Sequence, residues 1–135
     1  MTEFKYAVIC VDDDPYILQM LGFQLSKIMD QKCTLIEYFT DPKEAMKNID
    51  MLTSERIDII FVIVDYQMPK MNGAELIREI KLKHPNLSCV MLSGQANSTS
   101  VKSLEDENLL DKFLAKPWDE DELFQTIRPL IKSRK

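Results

Sequence analysis

The run Ile59-Ile60-Phe61-Val62-Ile63-Val64, closed by Asp65, constrains this chain more than any other stretch. Six consecutive apolar residues, most of them β-branched, fit a strand buried on both faces, as in a parallel sheet covered by helices. The run is far short of the roughly 18 residues that a membrane span requires. It stops at a carboxylate. Pro69 and Gly73 follow, so the chain leaves the sheet in a loop and starts a helix near Gly73. Open α/β sheets bind their ligands at the carboxyl ends of strands. A carboxylate buried there is costly unless it is paired, so the chain must supply a cation. Asp65 is therefore the leading candidate for a reactive group.

The flanking sequence supplies the rest of such a sheet. Lys5 to Val11 reads as a first strand ending at Asp12-Asp13-Asp14, and Asp14-Pro15 is an N-cap followed by a natural first helical residue. Ile17, Leu18, Leu21, Leu25 and Ile28 then recur at helical spacing to about Met29. Lys32 to Phe39 is a second strand. Asp41-Pro42-Lys43-Glu44 opens a helix to about Leu52, with Glu44 placed to close a capping box on Asp41. After the central strand come a helix from Gly73 to about Lys83, a break at Pro85-Asn86, and a fourth strand from Leu87 to Leu92 ending at Ser93-Gly94. Residues 95–110 carry a thin apolar stripe (Val101, Leu104, Leu109) and predict a short helix. Lys112 to Ala115 forms a fifth strand before Lys116-Pro117, and Asp119 to Lys132 a last amphipathic helix. Its basic residues Arg128 and Lys132, with Arg134 and Lys135 beyond, complement the helix C-terminus.

Strands alternating with helices through short loops predict one α/β doubly wound domain spanning residues 1–135. The flavodoxin-like strand order 2-1-3-4-5, a five-stranded parallel sheet with helices on both faces, puts its switch point between strands 1 and 3. Those strands deliver Asp12, Asp13 and Asp65 to one crevice, and strands 4 and 5 add Ser93 and Lys116. Each residue has a plain reading as a helix cap, a turn or a solvated charge, but all of them at strand ends of one sheet call for a shared task. Three converging carboxylates raise one another's pKa values, which a hard divalent cation such as Mg²⁺ or Mn²⁺ relieves. An aspartate carboxylate is also a competent nucleophile toward phosphorus. The ammonium of Lys116 and the hydroxyl of Ser93 suit the phosphoryl oxygens.

These residues resemble the receiver domain of two-component response regulators, from Val8 to about Ile131. The resemblance implies that Asp65 is phosphorylated by a histidine kinase or phosphotransfer protein. It makes Asp12, Asp13, Asp65 and the Gln67 backbone carbonyl the metal site, Ser93 and Lys116 catalytic partners, and Ser93 with Phe113 the switch pair. Readout is then expected on the face of the fourth helix, fifth strand and fifth helix. Gln67 and Gln95, two residues past Asp65 and Ser93, are placed to tune dephosphorylation. Asn72 stands where the family more often has Asp. Asn108-Leu109-Leu110 replaces a usual Gly-Ala, so an unusual turn is expected before strand 5. An effector module joined beyond Lys135 is a further partner the resemblance implies.

Two other classes fit part of the pattern. A haloacid dehalogenase-type phosphatase also ends its first strand in Asp-x-Asp, but a small or hydroxyl residue usually follows, where Pro15-Tyr16 stand here, and such enzymes need a longer chain with a cap. A flavodoxin needs a hydroxyl- and glycine-rich phosphate loop, and three aspartates there repel the FMN phosphate. A net charge of −5 argues against direct nucleic-acid binding. Cys10, Cys33 and Cys89 lack metal spacing and read as reduced core thiols of a cytoplasmic protein with no membrane attachment. Met68 and Met71 read as gap-fillers, His84 as a surface residue near a negative helix end, and Trp118 as packing on the last helix.

Overall fold

The computed structural model describes residues 4–94 and 99–133. Strands β1 (Tyr6–Val11), β2 (Thr34–Phe39), β3 (Asp58–Asp65), β4 (Cys89–Ser93) and β5 (Lys112–Ala115) alternate with helices α1 (Pro15–Leu25), α2 (Pro42–Ser54), α3 (Gly73–Lys83), α4 (Thr99–Asp106) and α5 (Glu120–Lys132). All pairings are parallel and the order is β2-β1-β3-β4-β5, the flavodoxin-like arrangement expected. The central β3 is buried from Ile59 through Asp65.

The sheet separates two apolar layers. On one side Ala7, Ile9 and Val11 of β1 and Val62 and Val64 of β3 pack with residues of α2, α3 and α4. On the other side Val8 and Cys10 of β1 and Phe61 and Ile63 of β3 pack with Leu18, Leu21 and Leu25 of α1 and Leu123 and Ile127 of α5. One irregularity breaks the alternation. The β1–β3 register steps from Ala7↔Ile59 to Val8↔Phe61, leaving Ile60 as the extra residue of a bulge. Ile60 and Phe61 consequently both face the α1/α5 layer.

Several local expectations are corrected. Helix α1 stops at Leu25, and the apolar spacing that extended it to Met29 belongs to a run of turns in which Met29 stays buried and its N–H still bonds Leu25 O. Glu44 closes no capping box, because Asp41 accepts from Lys43 N one position earlier and Glu44 pairs with Lys47 instead. Complete capping boxes occur at Asn72/Glu75 and Asp119/Glu122. Strands β2 and β4 begin at Thr34 and Cys89, two residues later than the apolar pattern suggests. Asn108 takes a left-handed φ of 58°, so it ends α4 as a glycine would. His84 is not a free surface residue: it caps α3, and its Nε2 donates to Asp50 Oδ1 of α2 at 2.8 Å. Cys33 is only half-buried, whereas Cys10 and Cys89 are buried thiols pushed up to about 12 by burial. The tail residues Arg134 and Lys135 lie outside the described residues.

Candidate functional site

An open cleft of about 900 Å³ lies at the carboxyl end of the sheet, lined by Asp12, Asp13, Asp65, Gln67, Ser93 and Lys116 among others. Each side chain is delivered by a strand end. Asp12 follows β1, and its Oδ1 accepts from the N–H of Asp14 at 2.8 Å. Asp14 in turn caps α1 by accepting from Tyr16 N, so the acidic loop and the helix start are one hydrogen-bonded unit. Asp65 ends β3, and its carboxylate accepts from the Gln67 N–H. Gly73 lets α3 begin close behind it: a Cβ there would lie 2.5 Å from the Asp65 carbonyl oxygen.

Lys116 provides the cation that a buried Asp65 demanded. Its Nζ stands 2.7 Å from Asp65 Oδ1 and 3.2 Å from Asp12 Oδ2, while its backbone N–H donates to Ser93 O. Asp12 and Asp65 are 1% and 4% exposed, which decides their electrostatics. Burial raises the Asp12 carboxyl to about 6, with the Asp65 charge adding to the rise and the Asp14 N–H and Lys116 opposing it. Asp65 is likewise raised by burial and by Asp13, against the lowering effect of Lys116. For Lys116 burial works against the ammonium, but Asp65 and Asp12 together outweigh it and hold the group above its ordinary value. The cleft thus carries more negative charge than one lysine neutralises.

That surplus fits a metal. One oxygen from each of Asp12, Asp13 and Asp65 comes within 4.8 Å of the others, an all-oxygen donor set suited to a small hard cation. Ser93 is buried beside the cleft on β4. Phe113 pairs with Met91 and Ala115 with Ser93 in the β4–β5 register, so Phe113 shares the sheet face of Ser93, and it packs on the α2–α4 layer. Met68 fills that layer too, as expected, and Met71 packs against it. Gln95 lies outside the described residues. Two elements of the site escaped sequence reasoning. The Asn72/Glu75 box was legible as Asn-x-x-Glu before an apolar stripe. The contact of Trp118 with Gln24 of α1, rather than with α5 alone, had no sequence signal.

Comparison with known proteins follows the same residues. The response regulator receiver domain matches residues 8–128. The chain belongs to that family. This receiver is 28% identical over 120 residues to the transcriptional regulatory protein GlrR of Escherichia coli, covering 89% of the chain. It spans about a quarter (25%) of that relative's length. Among solved structures, the signal receiver domain of an HD domain-containing protein from Pseudomonas fluorescens Pf-5 superposes with a TM-score of 0.79 at 24% identity, over 96% of this chain and 97% of that one. The receiver domain of a Francisella response regulator gives 0.76 at 25% identity, over 96% and 98%. The chain is thus a signalling domain with the receiver fold, and no helix among the described residues is long and apolar enough to cross a membrane.

Proposed function

We infer that residues 1–135 act as one receiver domain in which Asp65 accepts a phosphoryl group from a histidine kinase or phosphotransfer protein. The observation that carries this reading is the Asp65 carboxylate at the end of the central strand, 2.7 Å from Lys116 Nζ and grouped with Asp12 and Asp13. An Asp65 oxygen attacks phosphorus, the P–N bond to the donor imidazole breaks with its electron pair returning to nitrogen, and an acyl phosphate forms. Lys116 then passes from the carboxylate to a phosphoryl oxygen, and the Ser93 hydroxyl donates to another. Asp12, Asp13, Asp65 and the Gln67 carbonyl would hold Mg²⁺ or Mn²⁺, which when bound neutralises phosphoryl charge. The domain acts on its own aspartate and turns over no external phosphoester, which separates it from a haloacid dehalogenase-type phosphatase. Gln67, exposed at the rim, orients the water that later hydrolyses the acyl phosphate.

Readout on α4, β5 and α5 is supported by the shared face of Ser93 and Phe113 and by the slight anchoring of α4. Leu104 is that helix's buried residue among the described ones, and Arg78 of α3 holds it from outside through Ser103 Oγ (2.9 Å) and an ion pair with Glu107. A phosphoryl–Ser93 contact present in one state only would bias such a helix. The test is incubation with acetyl phosphate and Mg²⁺ followed by peptide mapping of the added mass. Label is expected on Asp65, absent in Asp65→Asn and in excess chelator. Label on another residue, or undiminished label in either control, rejects the reading.

A further inference from the structure

The lysine arm of the cleft is held from α1. Five buried side chains among the described residues are polar or charged. Asp12, Asp65 and Ser93 belong to the cleft, Thr34 opens β2, and Gln24 alone lies within a helix. A buried amide is costly unless hydrogen-bonded, and an apolar residue would fill the same place in the α1 stripe at no such cost. Gln24 Oε1 accepts from the indole Nε1–H of Trp118 at 2.9 Å. Trp118 stands two residues after Lys116, with its ring against the α1/α5 layer. Just past the end of α1, Lys27 Nζ meets Glu120 Oε2 in the first turn of α5 at 2.8 Å.

Strand pairing reaches this loop through one last backbone bond, Lys116 N–H to Ser93 O. β5 has four residues and lies at the sheet edge, paired with β4 alone among the described strands. Lys116 lies beyond its end. α1, by contrast, is tied to the cleft at both ends: through Asp14 N–H to Asp12, and through Gln24 to Trp118. It therefore spans the two groups whose separation matters, Asp12 and Lys116. We propose that Gln24 is a positioning residue for phosphoryl transfer. Acting through Trp118, it fixes the Lys116 ammonium against Asp12 and Asp65 without touching the phosphoryl group. This rests on Lys116 serving the reaction as read above. The contact with Asp12, at 3.2 Å against 2.7 Å for Asp65, is the one a loosened loop gives up first.

The test uses acetyl phosphate as donor at saturating Mg²⁺, following phosphorylation by intact mass. Gln24→Met preserves volume and removes the acceptor, and Trp118→Phe keeps a ring and removes the donor. Each is expected to slow the maximal rate roughly three- to tenfold, the scale of one lost hydrogen bond acting on alignment. The double variant should be no slower than either single one, because both remove the same bond. Mg²⁺ affinity should stay within about twofold of wild type, since neither residue supplies a metal ligand. The chain has one tryptophan, so a single indole N–H resonance reports the bond directly: in Gln24→Met it should move upfield and exchange faster with water. Rates unchanged in both single variants overturn the proposal. So do rate losses that multiply in the double variant, or losses matched by an equal fall in Mg²⁺ affinity. Lys116→Ala separates the two levels. If it phosphorylates at the wild-type rate, the reading of Lys116 fails; if it is slow while Gln24→Met is not, only the positioning role fails.

Discussion

The two faces of the sheet build the same cleft with different stiffness. On the α1/α5 face stand Asp12, Asp65 and Lys116, backed by α1 and by the thirteen-residue, double-capped α5. Cross-links from α1 reach the acidic loop and the lysine loop. On the other face stand Ser93 and Phe113, backed by an eight-residue α4 with Leu104 as its buried anchor among the described residues. This asymmetry supports the proposed division between phosphoryl chemistry on the first face and readout on the second. Local stability follows buried contacts, so the two faces should open at different free energies.

Paired core truncations test that difference with the largest expected effect. Leu21→Ala in α1 should lower global stability by about 3 kcal/mol, the usual cost of a buried leucine. Leu104→Ala should cost only about 1 kcal/mol globally, because once α4 detaches on its own its loss is capped at the docking free energy. Hydrogen exchange of α4 amides should accelerate strongly while α1 and α5 amides keep their protection. Equal losses in denaturant melts, with α4 exchanging only through global unfolding, would break the comparison.

A smaller effect of opposite sign belongs to the stiff face. Asp12 is a buried carboxylate beside Asp65, raised to about 6 and therefore still mostly charged at neutral pH. Without divalent cations, Asp12→Asn should raise stability by about 1 kcal/mol by removing one of three close like charges, and should forfeit most of the stabilisation that Mg²⁺ confers. Thermal unfolding in chelator and in Mg²⁺ measures both quantities. A variant less stable than wild type in chelator would show that the cluster is not strained.

The smallest effect concerns the link between α2 and the end of α3, on the same side of the sheet as α4. The His84 hydrogen bond lowers the Asp50 carboxyl below its ordinary value, with Lys83 adding to it. A depressed pKa stabilises the fold above the unfolded value and loses that contribution as pH falls through the folded one. The gain is therefore present from about pH 4 upward. Asp50 is half exposed, so solvent screening limits the effect to about 0.5 kcal/mol. Asp50→Asn should cost that much at pH 6 and progressively less as the pH falls below about 4 and wild type takes up the proton. A loss that does not shrink with falling pH points to packing instead of charge.

Much of this was legible beforehand. The apolar run ending at Asp65, the acids after strand 1, and Lys116-Pro117 fix which residues arrive at which strand ends, because strand length and period are local properties. Helix ends were read less well. Ile28 and Met29 kept helical spacing through turns, and Asp41 took the nearer Lys43 N–H over a capping box, choices settled by small local energy differences.

Pairing partners and facing are another matter. By pleat alternation from Ile59, Asp65 would face the α2–α4 layer, away from Lys116. The bulge at Ile60 shifts the register by one residue, and a shift of one turns every later side chain of the strand to the opposite face. Nothing in six consecutive apolar residues marks where that extra residue belongs, since each is equally content on either buried face. The sequence by itself determined that a carboxylate ends the central strand, through composition and period. The β1–β3 register and the packing of α1 against α5 decided that it meets Lys116, and likewise that Gln24 meets Trp118, ninety-four residues away.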